Sequence, residues 1–210
     1  AFSLSCSETR ICLMRTRMPA SSSSHRARSA GVVSTVATTW RATETDRTYV
    51  TAPTDPQFGL PTVTYTHTVP ADPAYDTCTT TTYAAPNTTA NLIGLVAEVE
   101  TDVVACGGFT PGAPASVPAA VNTLTAPTSV IRPTQVVANT RVFYDDPTFA
   151  TSFPQLTPPT KGEVTLTARA TDFIAGAWTY LTTSKVTYDS LGRPIGSFDP
   201  AGNKTAVAYT

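Results

Sequence analysis

The sequence predicts an all-β protein built from antiparallel hairpin repeats, and three observations support this. About forty residues are threonine and 18 are proline, while Leu, Glu and Lys are scarce; Thr and Val favour strands, whereas Pro interrupts helices. A unit of strand and turn is written twice near the end of the chain, and looser copies precede it. No run of about eighteen apolar residues occurs, so we expect no membrane-spanning helix.

The clearest unit lies in residues 186–210, VTYDSLGRPIGSFDPAGNKTAVAYT. Polar and apolar residues alternate through its strands, as they do in a half-buried strand. The segments DSLG (189–192) and DPAG (199–202) each place Asp first and Gly fourth. Asp at the first turn position binds downstream amides, and Gly at the fourth adopts positive φ at little cost. We therefore predict two type I hairpin turns, each closed by a glycine bulge at Gly192 or Gly202.

Three earlier stretches repeat the pattern more loosely. Each has a strand that ends in Tyr, a loop of variable length, a Gly, and then an alternating strand. The tyrosines are Tyr49, Tyr83 and Tyr144, and the glycines are Gly59, Gly94 and Gly162. A hairpin buries little surface alone, so the units must join in one continuous sheet. We predict strands, paired antiparallel in sequence order, near 47–50, 61–69, 79–84, 95–104, 136–144, 162–172, 182–188, 193–198 and 203–209.

Composition divides the chain into four segments. Residues 1–30 hold five arginines against Glu8 alone and lack strand alternation; we interpret them as a disordered basic tail or a fragment edge. Residues 31–106 and 136–210 carry the repeats. Residues 107–135 are rich in Pro, Ala and Gly, which indicates an insertion or linker between repeat units. The formal net charge is −1, and nothing indicates a nucleic-acid partner.

The four cysteines are Cys6, Cys12, Cys78 and Cys106, and none forms a CxxC pair. With two histidines in the chain, we expect no zinc site, and no other metal or cofactor is indicated. Cys78 and Cys106 flank one apparent repeat. We predict that they form a disulfide if the protein is exported, the alternative being two free thiols.

No constellation of side chains predicts catalysis. His25 lies in the basic tail, and His67 lies in an alternating, threonine-rich strand, where we expect a solvated side chain. Asp145 and Asp146 are adjacent, and neighbouring strand residues point to opposite faces. We therefore expect a turn there rather than two cooperating carboxylates. The sequence contains no phosphate loop, HExxH or GxSxG motif, and we expect that this segment is not an enzyme.

The stretch 188–209, YDSLGRPIGSFDPAGNKTAVAY, resembles the YD repeat of the RHS family. That pattern is roughly Tyr-Asp-x-x-Gly-Arg, a hydrophobic position, Asp-x-x-Gly-Asn-x-Thr and a closing Tyr. The matching positions are Tyr188, Asp189, Gly192, Arg193, Asp199, Gly202, Asn203, Thr205 and Tyr209. Pro194 departs from the pattern, because the family usually has Leu or Val there. Since Pro lacks an amide donor, we expect an edge or a bulge at this position.

The resemblance implies a ribbon of β-strands that spirals into a hollow shell. In relatives, which include toxin-complex shell components and teneurins, the shell encloses a C-terminal toxin or carries a surface ligand. This chain would then be a structural, non-catalytic segment of a secreted or cell-surface bacterial protein. Its partners would be further repeats of the same polypeptide and an enclosed toxin.

Two alternatives stay open. An adhesin-like module with a carbohydrate or cell-surface partner would have the same Thr- and Pro-rich composition. A self-cleaving repeat protein is the second alternative, because some family shells cut themselves at a motif like P-x-x-x-x-D-P-x-G-L. Residues 194–202, PIGSFDPAG, match that motif, but Asn203 stands where it has Leu. The repeat's own Asp-Pro-x-Gly turn explains all of these residues.

Overall fold

The computed structural model describes residues 42–69, 72–109 and 124–210. They form one sheet of nine antiparallel strands, whose order in the sheet is their order in the chain. The strands are β1 (Ala42–Tyr49), β2 (Pro61–Val69), β3 (Thr77–Tyr83), β4 (Val96–Asp102), β5 (Val136–Tyr144), β6 (Val164–Ile174), β7 (Ala177–Tyr188), β8 (Pro194–Phe198) and β9 (Lys204–Ala206). The predicted all-β class and antiparallel hairpin ribbon are confirmed. The interpretation of residues 1–30 lies outside the described residues.

The connections alternate between the two ends of the sheet. At one end, which we call the tyrosine end, each odd-numbered strand turns into the next even-numbered one. Four odd-numbered strands finish there in a tyrosine, namely Tyr49, Tyr83, Tyr144 and Tyr188. The loops that follow, 50–60, 84–95, 145–163 and 189–193, differ widely in length. The predicted order of Tyr, loop and strand is therefore the order in the fold.

The β6–β7 hairpin is longer than predicted. We expected its strands to end near residue 172 and to resume near 182, but β6 continues to Ile174 and β7 begins at Ala177. The two residues between them, Ala175 and Gly176, have φ of 50° and 82°. Two consecutive positive φ angles are those of a type I′ turn. Ala is not a preferred residue at the first position of this turn, so the sequence pattern did not reveal it.

The two faces of the sheet differ in chemistry. Residues paired across strands share a face, and one face carries threonines in register. The pairs are Thr43 with Thr68, Thr45 with Thr66, Thr66 with Thr77, Thr64 with Thr79, and Thr79 with Thr101. The hydroxyl oxygens of Thr79 and Thr101 lie 3.0 Å apart. We call this side the threonine face and the opposite side the core face.

The two ends of the 107–135 insertion cover the core face over β2 and β3. A buried cluster there contains Val63, Tyr65, Cys78, Cys106 and Leu124, with Phe109 packed against it. Cys78 and Cys106 are joined by a disulfide, with their Cα atoms 5.0 Å apart, as the sequence predicts. Beyond the insertion, β5 pairs directly with β4. The chain therefore leaves the sheet after β4 and returns to it beside the same strand.

We predict that removing this disulfide strongly destabilises the fold. The bond closes a loop with a sequence separation of 28 residues, and in the chain-entropy model this contributes about 3–4 kcal/mol. Denaturant unfolding of the Cys78→Ala/Cys106→Ala double variant should show at least this loss relative to the oxidised protein. A matched Cys6→Ala/Cys12→Ala variant should keep the disulfide's contribution intact. A loss below about 1 kcal/mol in the first variant would contradict the assignment of the bond as a main constraint.

Candidate functional site

The two YD-like turns have the geometry predicted for them. Gly192 and Gly202 have φ of 77° and 86°. Their amides donate to the carbonyl oxygens of Asp189 and Asp199, at 3.1 Å and 3.0 Å. The glycine thus occupies the fourth turn position in both cases, where positive φ disfavours any residue with a Cβ.

The aspartate of each turn holds the residue that follows the glycine. Asp189 Oδ1 accepts the backbone N–H of Arg193 at 3.0 Å, and Oδ2 accepts Arg193 Nε at 2.7 Å. Asp199 Oδ1 accepts the backbone N–H of Asn203 at 2.8 Å, and Oδ2 accepts Asn203 Nδ2 at 2.7 Å. Hydrogen bonds from Arg193 lower the pKa of Asp189, and those from Asn203 lower the pKa of Asp199. Arg193 and Asn203, which follow the two glycines, therefore have the same role. Each donates one backbone and one side-chain hydrogen bond to the aspartate of its turn.

The same closure recurs around Asp145 with a much longer loop. The Asp145 amide donates to Glu163 O at 2.9 Å, as the Asp189 amide donates to Arg193 O at 2.9 Å. The Asp145 carboxylate accepts four backbone N–H groups, those of Thr160, Lys161, Gly162 and Glu163. Burial raises the pKa of Asp145, but these four bonds outweigh it and hold the pKa below its usual value. Gly162 has φ of 76°, like the two turn glycines.

Asp146 braces the other side of that loop. Its carboxylate accepts the amides of Thr148, Ala150 and Thr151 at 2.7–2.8 Å, and the hydroxyls of the two threonines as well. Burial raises the pKa of Asp146, but these bonds together outweigh it and hold the pKa far below its usual value. Asp145 and Asp146 therefore serve separate loop segments, and the predicted turn is confirmed.

A ladder of tyrosine hydroxyls ties these turns together. Each hydroxyl donates to the backbone carbonyl of the first residue in the preceding even-numbered strand. For Tyr209, which follows β9, that strand is β8. The four bonds are Tyr83 to Pro61 O (2.8 Å), Tyr144 to Val96 O (2.8 Å), Tyr188 to Val164 O (2.9 Å) and Tyr209 to Pro194 O (3.0 Å). We call this set the tyrosine ladder. The sequence showed the recurrence of Tyr but not these partners, each of which lies at the start of the preceding strand.

Three of the four rungs coincide with a register shift. The pairing slips between Thr82 and Tyr83, Phe143 and Tyr144, and Thr187 and Tyr188, and a similar slip lies between Thr48 and Tyr49. A shift of this kind changes the twist and direction of the strand. Burial raises the pKa of Tyr83, Tyr144 and Tyr188, so their hydroxyls remain donors across the physiological pH range.

The remaining motif positions lie around the last rung. Pro194 begins β8 opposite Tyr188, at a register shift, so the predicted bulge is present; β8 itself lies between β7 and β9 rather than at an edge. The Arg193 guanidinium lies over the Tyr209 ring, 4.4 Å from its centroid. Thr205 in β9 pairs with Ser197 in β8. The nine motif residues thus lie in the two turns at the ends of β8 and in the segment that follows the second turn.

A polar network lies on the core face under the β6–β7 hairpin, and no sequence pattern indicated it. Glu98 Oε1 accepts Arg141 Nε at 2.8 Å and the Tyr180 hydroxyl at 3.1 Å. Glu100 accepts Trp178 Nε1 at 3.1 Å and pairs with Arg132 of the insertion. Asn139 connects the two glutamates through its amide nitrogen. Burial and the nearby Glu98 raise the pKa of Tyr180, so it stays a donor to this carboxylate.

Asp102, at the end of β4, is a buried carboxylate on the core face. Its residue is 1% exposed, and its Oδ1 has no hydrogen-bond partner among the described residues. Burial raises the pKa of Asp102 to about 6; Glu100 adds to the shift and Arg132 opposes it. A buried carboxylate oxygen without a donor is costly.

His67 is not the solvated side chain that the strand pattern predicted. It is 7% exposed, and its Nε2 lies 3.3 Å from Asp46 Oδ2. Its ring stacks on Tyr65 with the centroids 4.8 Å apart, and Phe109 packs against both rings. The prediction was wrong because Phe109 returns from the insertion over this strand, a contact that strand alternation does not report.

A cavity of about 250 Å³ lies between the loops of Asp145 and Asp189, and Lys161 and Glu163 also line it. The Asp145 and Asp189 carboxylates already accept several hydrogen bonds from their own loops. In this part of the chain, no group of three or more His, Cys, Asp or Glu side chains is placed to hold a metal ion. No helix here is long and apolar enough to cross a membrane.

Comparisons with protein-family models, with curated proteins and with solved structures found no match to this chain. The proposed function therefore rests on the geometry of the turns and of the tyrosine ladder.

We predict that Gly202 is required for its φ and not for space. A Cβ at Gly202 would meet no atom within 4 Å, so Gly202→Val should destabilise through backbone strain alone, by about 1–2 kcal/mol. The matched control is Ala201→Val, one residue earlier in the same exposed turn, which should stay within about 0.5 kcal/mol of the parent. Denaturant unfolding measures both. Equal stability of the two variants would contradict the assigned turn geometry.

We predict that Asp102→Asn stabilises the protein at neutral pH. The pKa of Asp102 in the folded chain, about 6, lies above its ordinary value of 3.8. Its contribution to the free energy of unfolding is therefore greatest below about pH 4 and is lost as the pH rises through about 6. The variant should gain on the order of 2 kcal/mol at pH 7 and little at pH 4.

The measurement is denaturant unfolding of the Asp102→Asn variant and its parent from pH 4 to pH 8. The control is Asp172→Asn, the same substitution at an exposed residue, with which the pH profile of the Asp102 variant is compared. A parallel pH profile for the Asp102 variant and the parent would contradict the effect of burial.

Proposed function

We propose that this chain is a structural segment of an RHS-type repeat protein, in which a β-ribbon forms part of a shell that encloses or presents a toxin or surface ligand. The tyrosine ladder carries the proposal. Its rungs join successive repeat units by the same bond, although the sequences and loop lengths of the units differ. A bond that recurs between units despite such variation is expected of a fold that grows by addition of units.

The ladder also explains how such a ribbon can be extended. Tyr188 pairs with Pro194 at the start of β8, and the carbonyl of Pro194 accepts the next hydroxyl, that of Tyr209. The three units β3–β4, β5–β6 and β7–β8 thus each supply a hydroxyl to the preceding unit and a carbonyl to the following one. Further repeats of the same polypeptide are the natural partner of this surface.

The side-chain chemistry supports a structural role without catalysis by this segment. The motif carboxylates of Asp189 and Asp199 hold backbone amides in their own turns, so their function is to fix the chain path. The disulfide between Cys78 and Cys106 is typical of oxidising compartments, and this supports a secreted or cell-surface location.

The test is made on the whole protein from which the chain derives. Its reading frame should contain many further YD units, followed by a junction and a C-terminal domain of different composition. Electron microscopy of the purified protein should show hollow particles, and protease should spare the enclosed domain until the shell is opened. Solid particles with a freely digested C-terminal domain would contradict the proposal. Repeats that lead to a cell-wall anchor without such a domain would favour the adhesin.

A further inference from the structure

The loops at the tyrosine end share one feature where each leads into its even-numbered strand. A glycine comes first, and one further residue, which we call the lead residue, then precedes the strand. The pairs are Gly59-Leu60, Gly94-Leu95, Gly162-Glu163 and Gly192-Arg193. The lead residue is therefore leucine in the first two units, glutamate in the third and arginine in the fourth.

At the first two junctions between neighbouring loops, the lead leucine lies against the glycine of the next loop. A Cβ built at Gly94 would lie 3.7 Å from a methyl carbon of Leu60. One built at Gly162 would lie 3.4 Å from a methyl carbon of Leu95. A side-chain amide also joins each pair of loops, from Gln57 Nε2 to Ala84 O and from Asn87 Nδ2 to Pro159 O, both at 2.9 Å. These two junctions are closed by apolar packing and a hydrogen bond.

The third junction has a carboxylate in place of the leucine methyl groups. A Cβ built at Gly192 would lie 3.3 Å from Glu163 Oε1. This oxygen is buried and has no hydrogen-bond partner among the described residues, although Lys161 Nζ lies 3.4 Å from it as an ion pair. The cavity of about 250 Å³ lies at this junction, between the loops of Asp145 and Asp189.

The fold alone does not explain the carboxylate of Glu163. Leucine at the equivalent position closes the other two junctions, and a buried acceptor without a donor is costly. A buried polar group that the protein leaves unsatisfied therefore points to a partner from outside the chain.

We propose that this cavity binds a polyhydroxyl compound of the size of one sugar ring, with Glu163 and Lys161 as its polar contacts. A hydroxyl group both donates and accepts hydrogen bonds. Neighbouring hydroxyls of one ring can donate to Glu163 Oε1 and accept from Lys161 Nζ, which lie 3.4 Å apart. A cationic amine would also satisfy the carboxylate, but it would meet the like charge of Lys161.

The size and the walls of the cavity fit such a ligand. Clefts for drug-sized molecules measure about 300–1,000 Å³, so a cavity of about 250 Å³ suits a single ring rather than a chain of rings. Pro147 and Tyr188 line it and offer apolar surface to the ring carbons. Asp145 and Asp189 are held by hydrogen bonds within their own loops, and preformed walls lower the entropic cost of binding.

Heteronuclear NMR titration of the intact, oxidised chain tests the proposal. The probes are the methyl glycosides of glucose, galactose and mannose, with methylammonium chloride as the competing chemistry. At least one glycoside should shift the amide signals of residues 160–163 and 187–189 in a saturable way. The amide signals of β1, at the other end of the sheet, should stay in place.

Glu163→Leu separates a ligand contact from a structural role. It restores the residue found at the first two junctions, so the variant should be at least as stable as the parent in denaturant unfolding. Its affinity for the glycoside should fall at least about tenfold. Lys161→Met should weaken binding as well, whereas the matched Lys204→Met, at an exposed lysine in β9, should leave it unchanged.

Three results would overturn the proposal. The first is a parent whose cavity signals respond to none of the glycosides, including one that responds to methylammonium alone. The second is a Glu163→Leu variant that binds the glycoside as tightly as the parent. The third is a Glu163→Leu variant that is less stable than the parent, because Glu163 would then serve the fold. Since the tyrosine ladder does not depend on this cavity, each of these results would leave the proposed shell function untouched.

Discussion

The hydrogen bond from a tyrosine hydroxyl to the backbone carbonyl that begins the preceding strand is the constraint on which this fold depends. Tyr144 is 5% exposed, and its bond to Val96 O is 2.8 Å long. Backbone pairing also joins neighbouring strands, but it does not prevent one strand from slipping in register against the next. Register is set mainly by which face of the sheet is buried. Few large apolar residues are buried on this sheet, so burial specifies the register only weakly. The tyrosine bonds specify it in addition. Tyr144 thus joins β4 through its hydroxyl and β6 through its backbone pairing with Val164.

The aspartate and glycine of each turn make that constraint independent of loop length. In the short turn, Asp189 and Arg193 are joined through backbone and carboxylate bonds; in the long loop, Asp145 makes the equivalent bonds to Glu163. The strand that leaves the turn therefore starts at the same place whether few or many residues intervene. This explains why loops diverge while the ends of the strands, and the tyrosines that anchor them, recur.

The local features could be predicted from sequence, and the distant ones could not. Asp-x-x-Gly turns and the alternating strands are encoded within a few residues, so their positions followed from the pattern. Gly94 was grouped with Gly59 and Gly162, yet Gly94 is not among the residues with positive φ, and Asn91 has that conformation in its loop. The polar network around Glu98, Asn139 and Tyr180 and the burial of His67 depend on segments that return over the core face. No local pattern records such returns.

The most direct measurement of the central claim is the unfolding free energy of Tyr144→Phe, with Tyr209→Phe as a matched variant. The buried hydroxyl of Tyr144 should be worth about 1–3 kcal/mol, because its loss leaves the Val96 carbonyl without a donor. The hydroxyl of Tyr209 bonds in the same way, but its residue is 44% exposed, and water can replace it there. Its loss should cost less than about 1 kcal/mol. A Tyr144→Phe variant as stable as the parent would show that strand pairing alone sets the register of the ribbon.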